Sequence, residues 1–205
     1  ILNDVVRMAA TTTPAAAARA AAKLGFPVVM KIVSPDIQHK SEIGGVLLNV
    51  ASRKEAEAGF TTLMRRAKKA VPKAVLDGVL IAPMIKGGVE TIVGVQRDPV
   101  FGPVVMFGLG GIFVEIFKDV TFRIAPFGLD VAHEMIREVK GYALLAGARG
   151  QKPADVNALA RALAQTSVFA AKHADTLESI DLNPFIVRAK GEGAVAVDAL
   201  VITRP

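Results

Sequence analysis

Two apolar runs, Val28–Val33 and Val46–Val50, are separated by the twelve residues SPDIQHKSEIGG. Their Val, Ile and Leu content predicts two strands that belong in a core. A simple hairpin closes such strands in roughly two to five residues. The insert is longer and chemically different: it holds a Pro, two acids, a Lys, one of the chain's three His and a Gly-Gly pair. So polar a loop faces either open solvent or a polar partner. Lys31, inside the first run as VVMKIV, sharpens the choice. A Lys in an apolar strand either snorkels to water or meets an anion.

The length of 205 residues suffices for one large domain or two small lobes. The chain is 52% hydrophobic but only 5% aromatic, with no Trp. Apolar mass built from Ala, Val, Leu and Ile suits a mixed helix and sheet protein better than a nucleic-acid reader with stacking platforms. The net charge of +6 admits nucleic acid and phosphorylated small molecules alike. The densest basic run, Arg65–Lys69, lies in a predicted helix with no interleaved aromatics and reads as a solvated face. The absence of Cys removes disulfides, zinc–thiolate sites and thiol catalysis, and fits a cytoplasmic protein. The start, ILNDVV, has neither Met nor a secretory pattern, so the chain is expected to be a piece of a longer one. The longest apolar window, Gly102–Phe117, carries four Gly, a Pro and Glu115, which argues against a membrane span.

Local signals predict the elements. Thr13, Pro14 and Gly25 bound a helix over Pro14–Leu24, and Ser52 caps another over Arg53–Ala70. Val79–Ile85 reads as a buried strand interrupted by Pro83, and Val89–Gln96 as an alternating strand. VVMFGLGG, IFVEIF and VTFRIA read as further strands. LDVAHEMIREV is a short helix with Asp130 as its expected cap, and KPADVNALARALAQTSVFAAKHA a longer one. ESIDLNPFIV and AVAVDALVI form a terminal hairpin around RAKGEG. The order is α+β, with a boundary near Ile85–Gly88.

Within the hairpin, Asp181 and Asn183 alternate with Ile180 and Leu182 and so share a face. A turn centred near Gly191 puts Asp198 opposite Asn183 or Phe185 on that face. Pairs one step apart still lie within about 7–8 Å. A carboxylate and an amide oxygen converging in this way suit hard Mg²⁺. LNP as a turn starter and Asp198 as a solvent-facing residue is the competing reading. In the polar loop, Gly44 and Gly45 allow close backbone approach and can turn N–H groups toward an anion, while Lys40 adds a cation. A phosphate-covering flap and an ordinary surface turn both fit. FGLGGIF opens like a dinucleotide fingerprint, but Phe113 stands where the third Gly belongs and no helix follows, so that reading is rejected. Those glycines are expected to permit close backbone packing or ligand approach. LIAPMI leaves its strand at Pro83 and could present backbone groups to a flat heterocycle, or be a plain edge strand.

Taken in order, FPVVMKIVSPDIQHKSEIGGV, RDPVFGPVVMFGLGGIFVE and IDLNPFIV resemble an ATP-grasp domain. The resemblance is to the nucleotide-binding subunit or domain of the NDP-forming acyl-CoA synthetases, in the ADP-forming acetyl-CoA synthetase branch, related to the succinyl-CoA synthetase β-subunit. It runs from about Pro14 to Asp198. It implies two α/β lobes with antiparallel sheets enclosing a nucleotide cleft: residues 1–85 with a flap over 34–45, and residues 86–205 with a metal-binding hairpin. By the same resemblance Lys31 contacts nucleotide phosphates, and Gln38–Gly45, with Lys40, Gly44 and Gly45, is the flap. Ala82, Pro83, Met84 and Ile85 form the strand against adenine, and Glu90 stands near the ribose. Asn183 and Asp198 match the Mg²⁺ ligands.

The implied chemistry interconverts acyl-CoA, ADP and phosphate with carboxylate, CoA and ATP through a phosphohistidine. The main phosphohistidine, the CoA site and the acyl site belong to companion CoA-binding and ligase domains or an α-subunit. His39 fits the position of a second histidine proposed to relay the phosphoryl group; binding phosphate without carrying it, or being an incidental loop histidine, are the other readings. Arg123 could join Mg²⁺ and Lys31 in offsetting charge, or be a structural ion-pair partner on its strand face. No nucleic acid and no membrane are expected as partners. Two alternatives stand beside this reading. One is a binding module of a protein-lysine acetyltransferase fusion that has lost synthetase chemistry. The other is a basic nucleic-acid-binding protein, resting on net charge alone.

Overall fold

The computed structural model describes residues 8–37, 40–111 and 116–204. Gln38 and His39, and most of the IFVEIF run, lie outside the described residues. The chain divides after Lys86 into two compact units.

The first unit runs β1 (Ala9–Thr11), α1 (Pro14–Leu24), β2 (Val28–Val33), β3 (Val46–Val50), α2 (Arg53–Ala70) and β4 (Gly78–Pro83). The strands form one antiparallel sheet in the order β1-β4-β2-β3. The alanine run gives α1 its high intrinsic propensity. Thr13 Oγ1 accepts the Ala16 N–H at 3.2 Å, and Gly25, at φ +90°, ends the helix. Ser52 caps α2 reciprocally: its Oγ accepts the Glu55 N–H at 3.2 Å, while the Glu55 carboxylate takes the Ala51 N–H at 2.9 Å. Val28, Met30 and Ile32 of β2, with Val79 and Ile81 of β4, pack on Phe60 and Leu63 of α2 and the small Ala17 and Ala21 of α1. Each large side chain buried there contributes about 1.5–3 kcal/mol. Alternation then sends Val29 and Lys31 to the opposite face of the sheet.

The second unit runs β5 (Val89–Asp98), β6 (Gly102–Leu109), β7 (Val120–Ile124), α3 (Leu129–Glu138), α4 (Tyr142–Leu145), α5 (Val156–Lys172), β8 (Leu177–Val187), β9 (Ala194–Ala196) and β10 (Leu200–Thr203). Its antiparallel sheet has the order β10-β8-β5-β6-β7, and β9 also pairs with β8. Val93, Val95, Val105 and Phe107 face Met135 and Ile136 of α3 and Leu159 and Leu163 of α5. Among the described residues, the helices of this unit pack on one face of the sheet.

Three expectations are corrected. Asp130 is not the cap of α3: Gly128 occupies that position, and Asp130 lies inside the first turn, where it favours the helix dipole. Ile116 and Phe117 are in a turn, not a strand. The return arm of the terminal hairpin is two strands, β9 and β10, with Val197–Ala199 between them. Among the described residues, no helix is long and apolar enough to cross a membrane.

Candidate functional site

In the first unit the sheet brings Lys31 and Ala82 to its helix-free face, while Gly44 and Gly45 lie on the helix side, against Arg66 and Ile32. Lys31 pairs with Leu80 on one side and Val46 on the other, and directly opposed residues share a face. Val29 and Ala82, paired with one another, share it too. Lys31 is only 9% exposed, rare for a Lys outside a paired or functional position. β4 ends at Pro83, and the Met84 N–H donates to the Pro27 carbonyl at 3.0 Å. Ala82 is buried, while Pro83, Met84 and Ile85 are part-exposed.

The polar loop is anchored at both ends. Ile37 is 5% exposed in the core of the unit, and the Asp36 carboxylate accepts the Val75 N–H at 2.7 Å. At the other end the Gly44 N–H donates to Ser41 O at 3.1 Å and the Gly45 N–H to Lys40 O at 2.8 Å. Ile32, beside Lys31, donates its N–H to Gly45 O at 2.9 Å. The two glycine N–H groups are therefore occupied within the turn and are not turned toward an anion. What the glycines provide is conformation and close approach. Gly44 sits at φ +63°, and a Cβ on Gly45 would lie 2.8 Å from both Ile32 Cγ2 and Lys40 O. Lys40 is part-exposed on this turn.

In the second unit Asn183 stands at a break in the ladder. Thr91 pairs with Phe185 and Val93 with Leu182, so two steps along β5 correspond to three along β8. This is a β-bulge at Asn183–Pro184, where Pro has no N–H to give the ladder. Asp181 and Asn183 point to the helix-free face, while Phe185 turns into the core at 3% exposure. The expectation that Asn183 and Phe185 share a face fails there. Across the hairpin, Phe185 faces Ala196 and Asp181 faces Leu200. The Val197 N–H donates to Pro184 O at 3.0 Å. Counting inward from either side sets Asp198 opposite Asn183.

Asp181 is the residue that linear reasoning passed over, although its alternation with Asn183 was visible. Burial first, and then the nearby Asp198 carboxylate, raise its carboxyl above the ordinary aspartate range. Two carboxylates and an amide oxygen form an all-oxygen donor set that fits a hard divalent cation, with remaining ligands left to phosphate and water. The same face opens into a cavity of about 570 Å³ whose lining includes Gly94, Gln96, Met106, Phe122, Asp181 and Asn183.

Glu90 lies at the start of β5, exposed, with its carbonyl accepting the Gly110 N–H at 2.8 Å. A Cβ on Gly110 would come within 3.1 Å of Glu90 Cβ, so this glycine serves close packing. Arg123 is in a different place from the one expected. It pairs with Val105, which belongs to the helix-covered core, and so points away from the Asp181 and Asn183 face. Its guanidinium forms an ion pair with Glu138 of α3 and donates to Phe122 O at 2.9 Å. A structural ion-pair partner describes it better than a charge-offsetting catalytic group.

The comparisons with known proteins bear on this arrangement. An ATP-grasp domain pattern matches residues 4–203. The β-subunit of ADP-forming acetate–CoA ligase II of Pyrococcus furiosus is 50% identical over 184 residues, covering 90% of this chain and 78% of that protein. ADP-forming acetate–CoA ligase I of Archaeoglobus fulgidus is 49% identical over 175 residues, covering 85% of this chain but only 25% of its own length. Among solved structures, the dinucleotide-forming acetyl-coenzyme A synthetase 1 of Ca. Korarchaeum cryptofilum, in complex with coenzyme A, Ca-AMPCP and HgCl+, superimposes with a TM-score of 0.94 at 42% identity. The match covers 98% of this chain and 86% of that one. The chain belongs to the ATP-grasp family, in the branch of the ADP-forming acyl-CoA ligase β-subunits. It spans about three quarters of such a subunit and about a quarter of the single-chain ligases.

Proposed function

We propose that this chain is the nucleotide-binding part of an ADP-forming acyl-CoA synthetase. It passes a phosphoryl group between ATP or ADP and a histidine of the assembled enzyme, while carboxylate, CoA and ATP interconvert with acyl-CoA, ADP and phosphate. The observation that carries this reading is the opposed Asn183 and Asp198 at the bulge, with Asp181 beside them. Asn183 and Asp198 hold Mg²⁺, and Asp181 lends its charge to the same edge. Bound Mg²⁺ offsets charge on the transferring phosphoryl group.

Lys31 and Lys40 meet nucleotide phosphates, the first from a buried strand position and the second from the anchored loop. Gly44 and Gly45 allow the loop its close turn over the strand. Ala82–Ile85 lies along adenine and Glu90 near the ribose. His39 precedes Lys40 in the same loop. A neutral imidazole accepts a phosphoryl group near pH 7, so His39 relays it. Companion CoA-binding and ligase domains, or an α-subunit, supply the main phosphohistidine, the CoA site and the acyl site. Such a reaction belongs in the cytoplasm, with its nucleotide pool.

The test uses the full-length protein with its companion subunit, if that is a separate chain, incubated with Mg²⁺ and γ-labelled ATP. Acid-labile label on histidine is expected in the wild type, and its loss in Asp198→Asn and Asn183→Ala. His39→Ala should block transfer while nucleotide binding persists. Unchanged turnover in His39→Ala removes the relay. No shift in melting temperature with millimolar Mg·ATP or Mg·ADP removes the whole reading.

A further inference from the structure

We infer that Arg66, on the solvent side of α2, is a positioning residue of the phosphate loop and acts through Gly44. The contact itself is independent of the function proposed above; the task given to the loop rests on that reading. Arg66 Nη1 donates to the Gly44 carbonyl at 3.1 Å. Its Cδ and Nη1 lie 3.4 Å from where a Gly44 Cβ would stand, so the side chain lies closely over the turn. Gly44 is required by its left-handed backbone at φ +63°, and the Arg66 side chain lies in van der Waals reach of it.

The consequence is transmitted by backbone bonds. Gly45, the next residue, receives Ile32 N–H on its carbonyl and gives its own N–H to Lys40 O. One side chain from a helix thus bears on the short segment that joins the strand of Lys31 to the turn of Lys40, beside Ile43, which packs on the core. The other end of the loop has two anchors, Ile37 in the core and Asp36 on Val75. On the glycine side, Arg66 is the side-chain tether from outside the loop among the described contacts. Arg suits the task better than Lys, because a planar, permanently charged fork can cover a turn and donate from its edge. Its neighbours Arg65, Lys68 and Lys69 are exposed on the same helix, which is why the run reads in sequence as a solvated face.

An exposed hydrogen bond of this kind contributes little to global stability. Loop order and overall stability should therefore separate on mutation. Arg66→Gln, Arg66→Ala and Arg66→Lys are made in the full-length protein with its companion subunit present. Melting temperatures are expected to stay close to wild type. Amide hydrogen exchange at Gly44 and Gly45 is expected to accelerate about tenfold in Arg66→Gln, the loss of one charge-assisted bond. Single-turnover phosphohistidine formation should fall by a similar factor, with kcat reduced more than KM is raised, and Arg66→Lys should recover part of both. Unchanged exchange overturns the tether. Faster exchange with wild-type phosphoryl transfer overturns the positioning role and leaves Arg66 structural. If the wild type itself neither binds Mg·ATP nor becomes phosphorylated, the functional reading fails and the loop's task with it, while the exchange data still decide the tether.

Discussion

Asp155 ties the start of α5 to the turn between β8 and β9. It is 7% exposed and accepts three backbone N–H groups, each at 3.0 Å: Ala158 in the first turn of α5, and Gly191 and Gly193 in the turn between β8 and β9. Asp155→Ala removes the helix cap, worth about 1 kcal/mol. It also strands two turn N–H groups that were bonded to a charge, at about 1 kcal/mol each once water relaxes around them. The sum, about 3 kcal/mol, corresponds to a fall of about 6–12 °C in melting temperature for a chain of this size. Burial raises the Asp155 carboxyl pKa, but the bonds from Ala158, Gly193 and Gly191 and the charge of Arg161 outweigh it and leave the pKa below the ordinary value. The sign follows. A depressed folded pKa contributes stability that is present above the unfolded pKa of about 3.9 and is lost as pH falls through the folded value. Urea denaturation at pH 7 and again near pH 3 should show the difference between wild type and Asp155→Ala large at the first and reduced at the second. A difference under about 1 kcal/mol at pH 7, or one that does not shrink in acid, refutes the reasoning.

Other perturbations give sharper contrasts between fold and function. Gly45→Ala must displace Ile32 or the Lys40 carbonyl, each 2.8 Å from the new Cβ. A loss of about 1–3 kcal/mol and weaker Mg·ATP binding, read by denaturation and calorimetry, are expected. Lys31→Met keeps the buried stem and removes the ammonium, so Mg·ATP affinity should fall about 10- to 100-fold by titration, the loss of a charge-assisted phosphate contact. Arg123→Ala removes a part-exposed ion pair with Glu138 and an exposed hydrogen bond to Phe122 O. It should cost no more than about 1 kcal/mol in denaturation and leave the phosphoryl-transfer rate unchanged.

What the sequence made legible was whatever is decided within a few residues. The caps at Thr13 and Ser52, the stop at Gly25 and the strand Val28–Val33 all depend on neighbours one turn or one pleat away. Asp130 misled because a good capping residue inside the first turn looks in sequence like one just before it. Arg123 misled for a longer-range reason. Which face it takes is fixed by pairing with Val105, and strand register is not written in the strand itself. Arg66 was hidden further still, since the residue it touches is 22 positions away and its own surroundings are plainly basic and exposed. The hairpin register was legible, because one short turn sets it. The irregularity in the pairing of the same strand with β5 was not.

That irregularity carries the site. Strict alternation would put Asp181, Asn183 and Phe185 on one face. Two of these must face the open side to present oxygens, and the third is a core residue at 3% exposure packed with the helices. The extra residue at Asn183–Pro184 lets both hold, and the buried Thr91 closes the gap by donating its hydroxyl to Phe185 O at 2.7 Å. Deleting Pro184 makes Asn183 and Phe185 neighbours, so plain alternation still keeps Asn183 on the open face and Phe185 in the core. It leaves two residues of β8, Leu182 and Asn183, opposite the three of Val197–Ala199, and Asp198 loses its opposite number. Core stability by denaturation should change little while the melting shift with Mg·ADP is lost. A deletion variant that keeps the wild-type response to Mg·ADP would show that the bulge is incidental to the site.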